Sequence, residues 1–201
     1  MNPQDIIQKF VEFVAGNLNF EDFKNYLAAN PQALSLLENQ KPNQNFPYQK
    51  GKTIKDCLYH YRWDTSAGRL NVHKYIIRYL DFYRIANNPT SIYQDDWVFR
   101  IDIQPDYVDI EDEAFLDHLI DSTPAGLSKT QKKKWLKTHI KSLFKYETKP
   151  PKWIQAPEWP IMDGIPLVFK FQTKESISQE CIHYHFYHPL TLQVVVIEQF
   201  Y

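Results

Sequence analysis

The chain has 201 residues, a length that fits about one to one and a half domains at roughly 100–200 residues each. Its 23 Lys and Arg nearly cancel 24 Asp and Glu, and the formal net charge of −1 supplies no global attraction to nucleic acid or anionic lipid. Five Trp, 13 Tyr and 13 Phe within 43% hydrophobic content exclude disorder, while only five glycines, none closely paired, exclude the glycine-rich phosphate loops and the Gly-x-Ser-x-Gly nucleophile elbow.

In chain order, Pro3 suits a first helical turn, and Ile6, Ile7, Phe10 and Val14 recur at helical spacing until Gly16 ends the run. Asn19 caps a second helix holding Phe20, Phe23, Tyr26 and Leu27, and Asn30-Pro31 restarts a third through Leu34 and Leu37. Residues 39–52 read as a polar loop and 54–61 as a short helix. The strongest periodicity follows over 69–86, where Val72, Ile76, Leu80 and Tyr83 form one stripe before Asn87-Asn88-Pro89. Trp97, Phe99, Ile101 and Ile103 alternate, which predicts a strand over 97–103. Helices are expected over 111–121 and 128–144, the second capped by Ser128 and burying Leu136, Ile140, Leu143 and Phe144. Beyond Lys145 the pattern turns to β, with strands expected over 167–171, 181–187 and 192–200 and a hairpin turn at His188-Pro189-Leu190-Thr191.

The expected class is therefore α+β, with N-terminal helices packed on a C-terminal antiparallel β-sheet. Residues 1–148 form the mostly helical part, and 149–201 form a Pro/Trp strap and the β part, within one compact unit. No basic leader precedes the first apolar residues and no eighteen apolar residues run together, so a soluble, unprocessed, cytoplasmic chain is expected.

Few residues suggest chemistry. Gly51-Lys52-Thr53 resembles the tail of a phosphate loop, but Phe46 stands where its first glycine is required. Cys57 and His60 share a helix, where such pairs are commonplace. Cys181, His183 and His185 alternate along one strand, so all three project from one face, with His188 just beyond; thiolate and imidazole suit zinc. A metal-dependent hydrolase on this strand is the enzymatic alternative. Set against it is the absence of an acidic partner and a fourth ligand nearby in sequence, so no metal, no cofactor and no catalysis are expected, and the plainer reading is a solvent-facing strand surface.

Charge distribution is more informative. Between Arg100 and Lys129 there is no Lys or Arg, whereas Asp102, Asp106, Asp109, Glu111, Asp112, Glu113, Asp117 and Asp121 supply eight acids; residues 129–152 then hold nine lysines against Glu147 alone. Solvated, mutually attracting helix faces are the plain reading. The functional one is a docking surface that steers a basic protein, with Asp106, Asp109, Asp112, Glu113 and Asp117 as its contact residues. RNA or a membrane surface is the alternative partner for the lysine helix, and the use of its apolar stripe in the core weakens the membrane case. Neither a nucleic-acid nor a membrane partner is expected, nor a small-molecule substrate.

Prolines 150, 151, 157, 160 and 166 hold the backbone extended, and Trp153 and Trp159 anchor it as a strap whose indole N–H groups need partners such as Gln155 or backbone carbonyls. The run Pro150-Pro-Lys-Trp-Ile-Gln-Ala-Pro-Glu-Trp-Pro160, then Gly164-Ile-Pro-Leu-Val-Phe169 with Gln172, the closing Val196-Ile-Glu-Gln-Phe-Tyr201 and the early Phe13-Val-Ala-Gly-Asn-Leu-Asn-Phe-Glu-Asp-Phe23 resemble bacterial cytoplasmic proteins encoded beside secreted or contact-delivered toxins. The resemblance covers most of the chain and implies a polymorphic-toxin immunity protein, which binds a cognate toxin stoichiometrically and blocks its active site. Its matching residues are fold determinants, so it carries over no site. A non-catalytic adaptor is the third reading.

Overall fold

The computed structural model describes residues 2–38, 53–175 and 181–201. The loop expected over 39–52 and most of the Gly51-Lys52-Thr53 motif lie outside them. Two compact units divide the chain at Val98/Phe99, so the expected boundary at 148/149 falls inside the second unit.

The first unit is helical: α1 (Pro3–Val14), α2 (Phe20–Ala29), α3 (Pro31–Glu38), α4 (Ile54–His60), α5 (Ser66–Phe82) and the first turns of α6 (Ile92–Asp102). The caps are those that short polar residues favour, with Asn2, Asn19, Thr53 and Thr65 each accepting a backbone N–H from the first turn. Phe10, Phe13, Phe23, Leu27, Ile76 and Leu80 are among the buried residues of its core, where Phe13 and Phe23 stack with centroids 3.9 Å apart. Gly68 sits in the first turn of α5, where a Cβ would stand 1.7 Å from the Arg62 carbonyl oxygen. These N-terminal helices thus enclose a core of their own.

Helix α6 begins in the first unit and ends in the second, and it replaces the strand expected over 97–103. Alternating aromatic and β-branched residues imitate a strand, but the burial is helical: Tyr93 and Trp97 join the first core, Arg100 and Ile103 are buried, and Val98 and Ile101 are exposed.

In the second unit, α7 (Glu113–Asp121) is capped by Asp112, and α8 (Lys129–Leu143) by a capping box in which the Ser128 and Gln131 side chains satisfy each other's backbone N–H groups. Strands β1 (Ile161–Met162) and β2 (Ile165–Pro166) form a small ribbon whose two-residue turn, Asp163-Gly164, has positive φ at both positions, as a type I′ turn requires. Strands β3 (Val168–Glu175), β4 (Cys181–Tyr187) and β5 (Val194–Phe200) make an antiparallel sheet in that order, so the class is α+β as expected. Leu136, Ile140, Phe144, Trp159, Tyr184 and Phe186 belong to the core under it.

One irregularity sets the two faces. Phe169 pairs with Phe186 and Phe171 with His185, so Lys170 is an extra residue on β3. This bulge reverses the alternation: Phe169 is 2% exposed in the core and Phe171 44% exposed on the outer face. The outer face also carries Val194, Val196 and Phe200, all exposed, so only the inner face of β5 is covered.

The strap lies on that inner face. Trp153 donates to the Tyr107 carbonyl (2.9 Å) and Trp159 to the Leu167 carbonyl (2.8 Å), so backbone oxygens, rather than Gln155, receive the indoles. Gln155 instead donates to the Phe200 carbonyl. Gln199, 1% exposed, accepts from the backbone N–H groups of Ile154 (3.2 Å) and Gln155 (3.1 Å) and donates to the Ala156 carbonyl (2.8 Å).

Candidate functional site

The acidic segment spans the end of α6, the connecting loop and α7. Its eight acids are not uniformly uncompensated, because a cation from outside the run reaches in. Arg100, on α6, donates to Glu113 (2.9 Å) and Asp117 (2.6 Å) with its own side chain only 10% exposed. Lys133 on α8 pairs with Asp102 and holds that carboxyl below its ordinary range through the hydrogen bond. Glu113 and Asp117 are therefore engaged within the unit, and Asp112 has a structural duty as the α7 cap, accepting from the Phe115 N–H at 3.0 Å.

What is left, apart from Asp121 exposed at the end of α7, is a loop of exposed carboxylates held by backbone hydrogen bonds. Asp106, Asp109, Glu111 and Asp112 are exposed, whereas Val108 and Ile110 between them are buried. No ion pair engages these four acids among the described residues. Gln104 holds the loop closed: its amide donates to the Arg100 carbonyl (3.1 Å) and its oxygen accepts from the Ile110 N–H (2.6 Å). The Val108 N–H returns to the Pro105 carbonyl at 2.9 Å, and the Tyr107 carbonyl is the one taken by Trp153. Each acid is thus carried on backbone already ordered, so little conformational entropy is lost when a partner docks. The sequence reading overlooked Gln104 and Arg100. Arg100 and Gln104 stand one helical turn apart, a spacing visible only once 92–102 is read as helix.

On the sheet, Cys181, His183 and His185 all project from the outer face, as expected, but they do not act together. His185 is turned to the β3 side, where it stacks on Phe171 (centroids 4.4 Å apart) with its Nε2 3.4 Å from the Thr173 hydroxyl. His188 is buried in the β4–β5 turn, where its Nδ1 accepts from the Leu190 and Thr191 N–H groups. Neither joins Cys181. The acidic partner missing from the local sequence is supplied by β5, whose Glu198 lies directly opposite His183, with Oε1 3.7 Å from Nε2. The donor set is therefore Cys181, His183 and Glu198.

Among the described residues no helix is long and apolar enough to cross a membrane. Comparison with protein-family models, with curated proteins and with solved structures finds no match.

Proposed function

We propose that this chain is a non-catalytic binding protein, an immunity protein that in the cytoplasm occludes the active site of a cognate toxin bearing a basic surface. The observation that carries the reading is the pinned loop of exposed carboxylates at Asp106, Asp109, Glu111 and Asp112, held between α6 and α7 by Gln104. A toxin that attacks nucleic acid has to hold phosphates with cations, and a cluster of exposed carboxylates can occupy those cations in the phosphates' place. The resemblance of the strap and the two termini to toxin-neighbouring proteins supports the same reading. Glu113 and Asp117 contribute indirectly, through their ion pairs with Arg100.

The test is the association kinetics of the protein encoded beside this gene, measured at low and high salt. Changing Asp106, Asp109 and Asp112 to Asn and Glu111 to Gln preserves the cap, since Asn caps as well as Asp. The variant is expected to fold normally, to associate roughly tenfold or more slowly and to lose most of its salt dependence, as removal of steering charges does. Unchanged kinetics in the acid-depleted variant, or no binding by the neighbouring product, overturns the reading.

A further inference from the structure

We propose that Cys181, His183 and Glu198 form a binding site for one zinc-type divalent cation on the outer face of the β3–β4–β5 sheet. The site shares no residue with the acidic loop, so the two readings fail separately.

The placement follows from strand geometry. Residues two apart on β4 project from the same face, which brings Cys181 beside His183, and the antiparallel register sets Glu198 of β5 directly across from His183. The Sγ, one imidazole nitrogen and a carboxylate oxygen all lie within 4.8 Å of one another. Zinc holds sulfur at about 2.3 Å and nitrogen or oxygen at about 2.0–2.2 Å, so tetrahedral donors stand roughly 3.3–3.6 Å apart. The His183–Glu198 separation of 3.7 Å is already close to this spacing.

The donor chemistry selects the cation. A thiolate and an imidazole favour zinc, cobalt and copper over magnesium or calcium, which require oxygen-rich cages. Access is graded across the triangle: Cys181 is 4% exposed, the His183 side chain 24% and the Glu198 side chain 55%. The thiolate is sheltered from oxidants, while the carboxylate side opens to solvent for ion entry and for a water in the fourth position.

Two plainer arrangements are distinguished by the same geometry. A cross-strand histidine–glutamate ion pair brings together two donors, whereas here the Cys181 sulfur lies within 4.8 Å of both. A Cys–His–Glu catalytic relay places the acid on the far side of the imidazole from the sulfur, in a line; here the carboxylate is also within 4.8 Å of the sulfur, and the three donors converge on a point.

The experiment uses the full chain, reduced and freed of metal by a chelator, titrated with Co²⁺ and then Zn²⁺. Expected is a thiolate-to-cobalt charge-transfer absorption that saturates at one cobalt per chain and is displaced by zinc. Cys181→Ser abolishes the absorption; His183→Gln and Glu198→Gln, both at partly exposed positions that leave the fold intact, each weaken cobalt binding at least about tenfold. Cys57→Ala and His185→Ala leave the absorption and the affinity unchanged. No charge-transfer absorption at stoichiometric cobalt, its persistence in Cys181→Ser, or undiminished affinity in both His183→Gln and Glu198→Gln overturns the proposal, as does loss of the absorption in Cys57→Ala.

Discussion

Replacing Gln199 by Leu tests whether the strap is fastened to the sheet through one side chain. Gln199 makes four polar contacts: from the Ile154 and Gln155 N–H groups, to the Ala156 carbonyl and, at 3.3 Å, to Glu158. Leu keeps the volume and removes them all. Ile154 retains a partner, because its N–H also meets the Tyr184 hydroxyl at 3.1 Å, so three interactions are lost outright. At roughly 0.5–1.5 kcal/mol net for each, and more for any group left dry, the loss comes to about 2–4 kcal/mol. That is a large share of the roughly 5–15 kcal/mol available to a domain. Urea unfolding should show a lowered midpoint with an unchanged slope. A second substitution separates hydrogen bonding from shape. In Gln199→Glu the carboxylate still accepts from the two N–H groups but opposes the Ala156 carbonyl and Glu158, so the variant should be destabilised at pH 7. As pH falls towards the ordinary glutamate range near 4.3, protonation restores a donor, and the deficit relative to the native chain should shrink. A Gln199→Leu protein within about 0.5 kcal/mol of the native one, or a Gln199→Glu deficit that grows on acidification, would refute the reasoning.

Arg100→Met should cost about 1–3 kcal/mol, between an exposed pair and a fully buried one, because the Glu113 side chain is only 17% exposed and is left without that cation; adding Glu113→Gln should recover much of the loss in a double-mutant cycle read by denaturant unfolding. His73 has its pKa lowered by burial, with Nε2 donating to the Val14 carbonyl at 3.0 Å. The unfolded chain therefore takes up the proton first, and stability should fall as pH drops below about 6.5. His73→Gln should flatten that fall when unfolding free energies are compared between pH 7 and 5, and an identical slope in both proteins would count against it.

Caps and stripes were legible wherever one residue decides the local structure. Asn19, Ser128 and the Leu136/Ile140 stripe announce their helices because capping and 3.6-residue periodicity are local signals. The Trp97-to-Ile103 segment misled because alternation and helical spacing coexist there, and the deciding contacts of Tyr93 and Arg100 are tertiary. Asp163-Gly164 carries the Asp-Gly signal of a type I′ turn, and positive φ at both residues fits it. The register that sets Glu198 against His183 is not a local property: it depends on how many residues the turn after Tyr187 consumes, and that turn runs to Gln193, closed by a 2.9 Å bond from the His188 N–H to the Gln193 carbonyl. Partners of the acidic run were hidden for the same reason, since Arg100 reaches them across helices.

The free-standing side of β5, met by the strap at the Phe200 carbonyl, has a colloidal consequence. The strand reads Val-Val-Val-Ile-Glu-Gln-Phe, pairs with β4 on one side and has no strand neighbour on the other among the described residues. Segments of this composition template cross-chain pairing and fibril growth, and a single charge within them acts as a gatekeeper. Glu198 is the only charge in the strand. A cation seated on Cys181, His183 and Glu198 cancels that charge, so the same event that fills the site withdraws the strand's electrostatic protection. If the proposed site fills, dispersity of the purified chain should follow metal supply, with chelation keeping the edge charged and the chains apart.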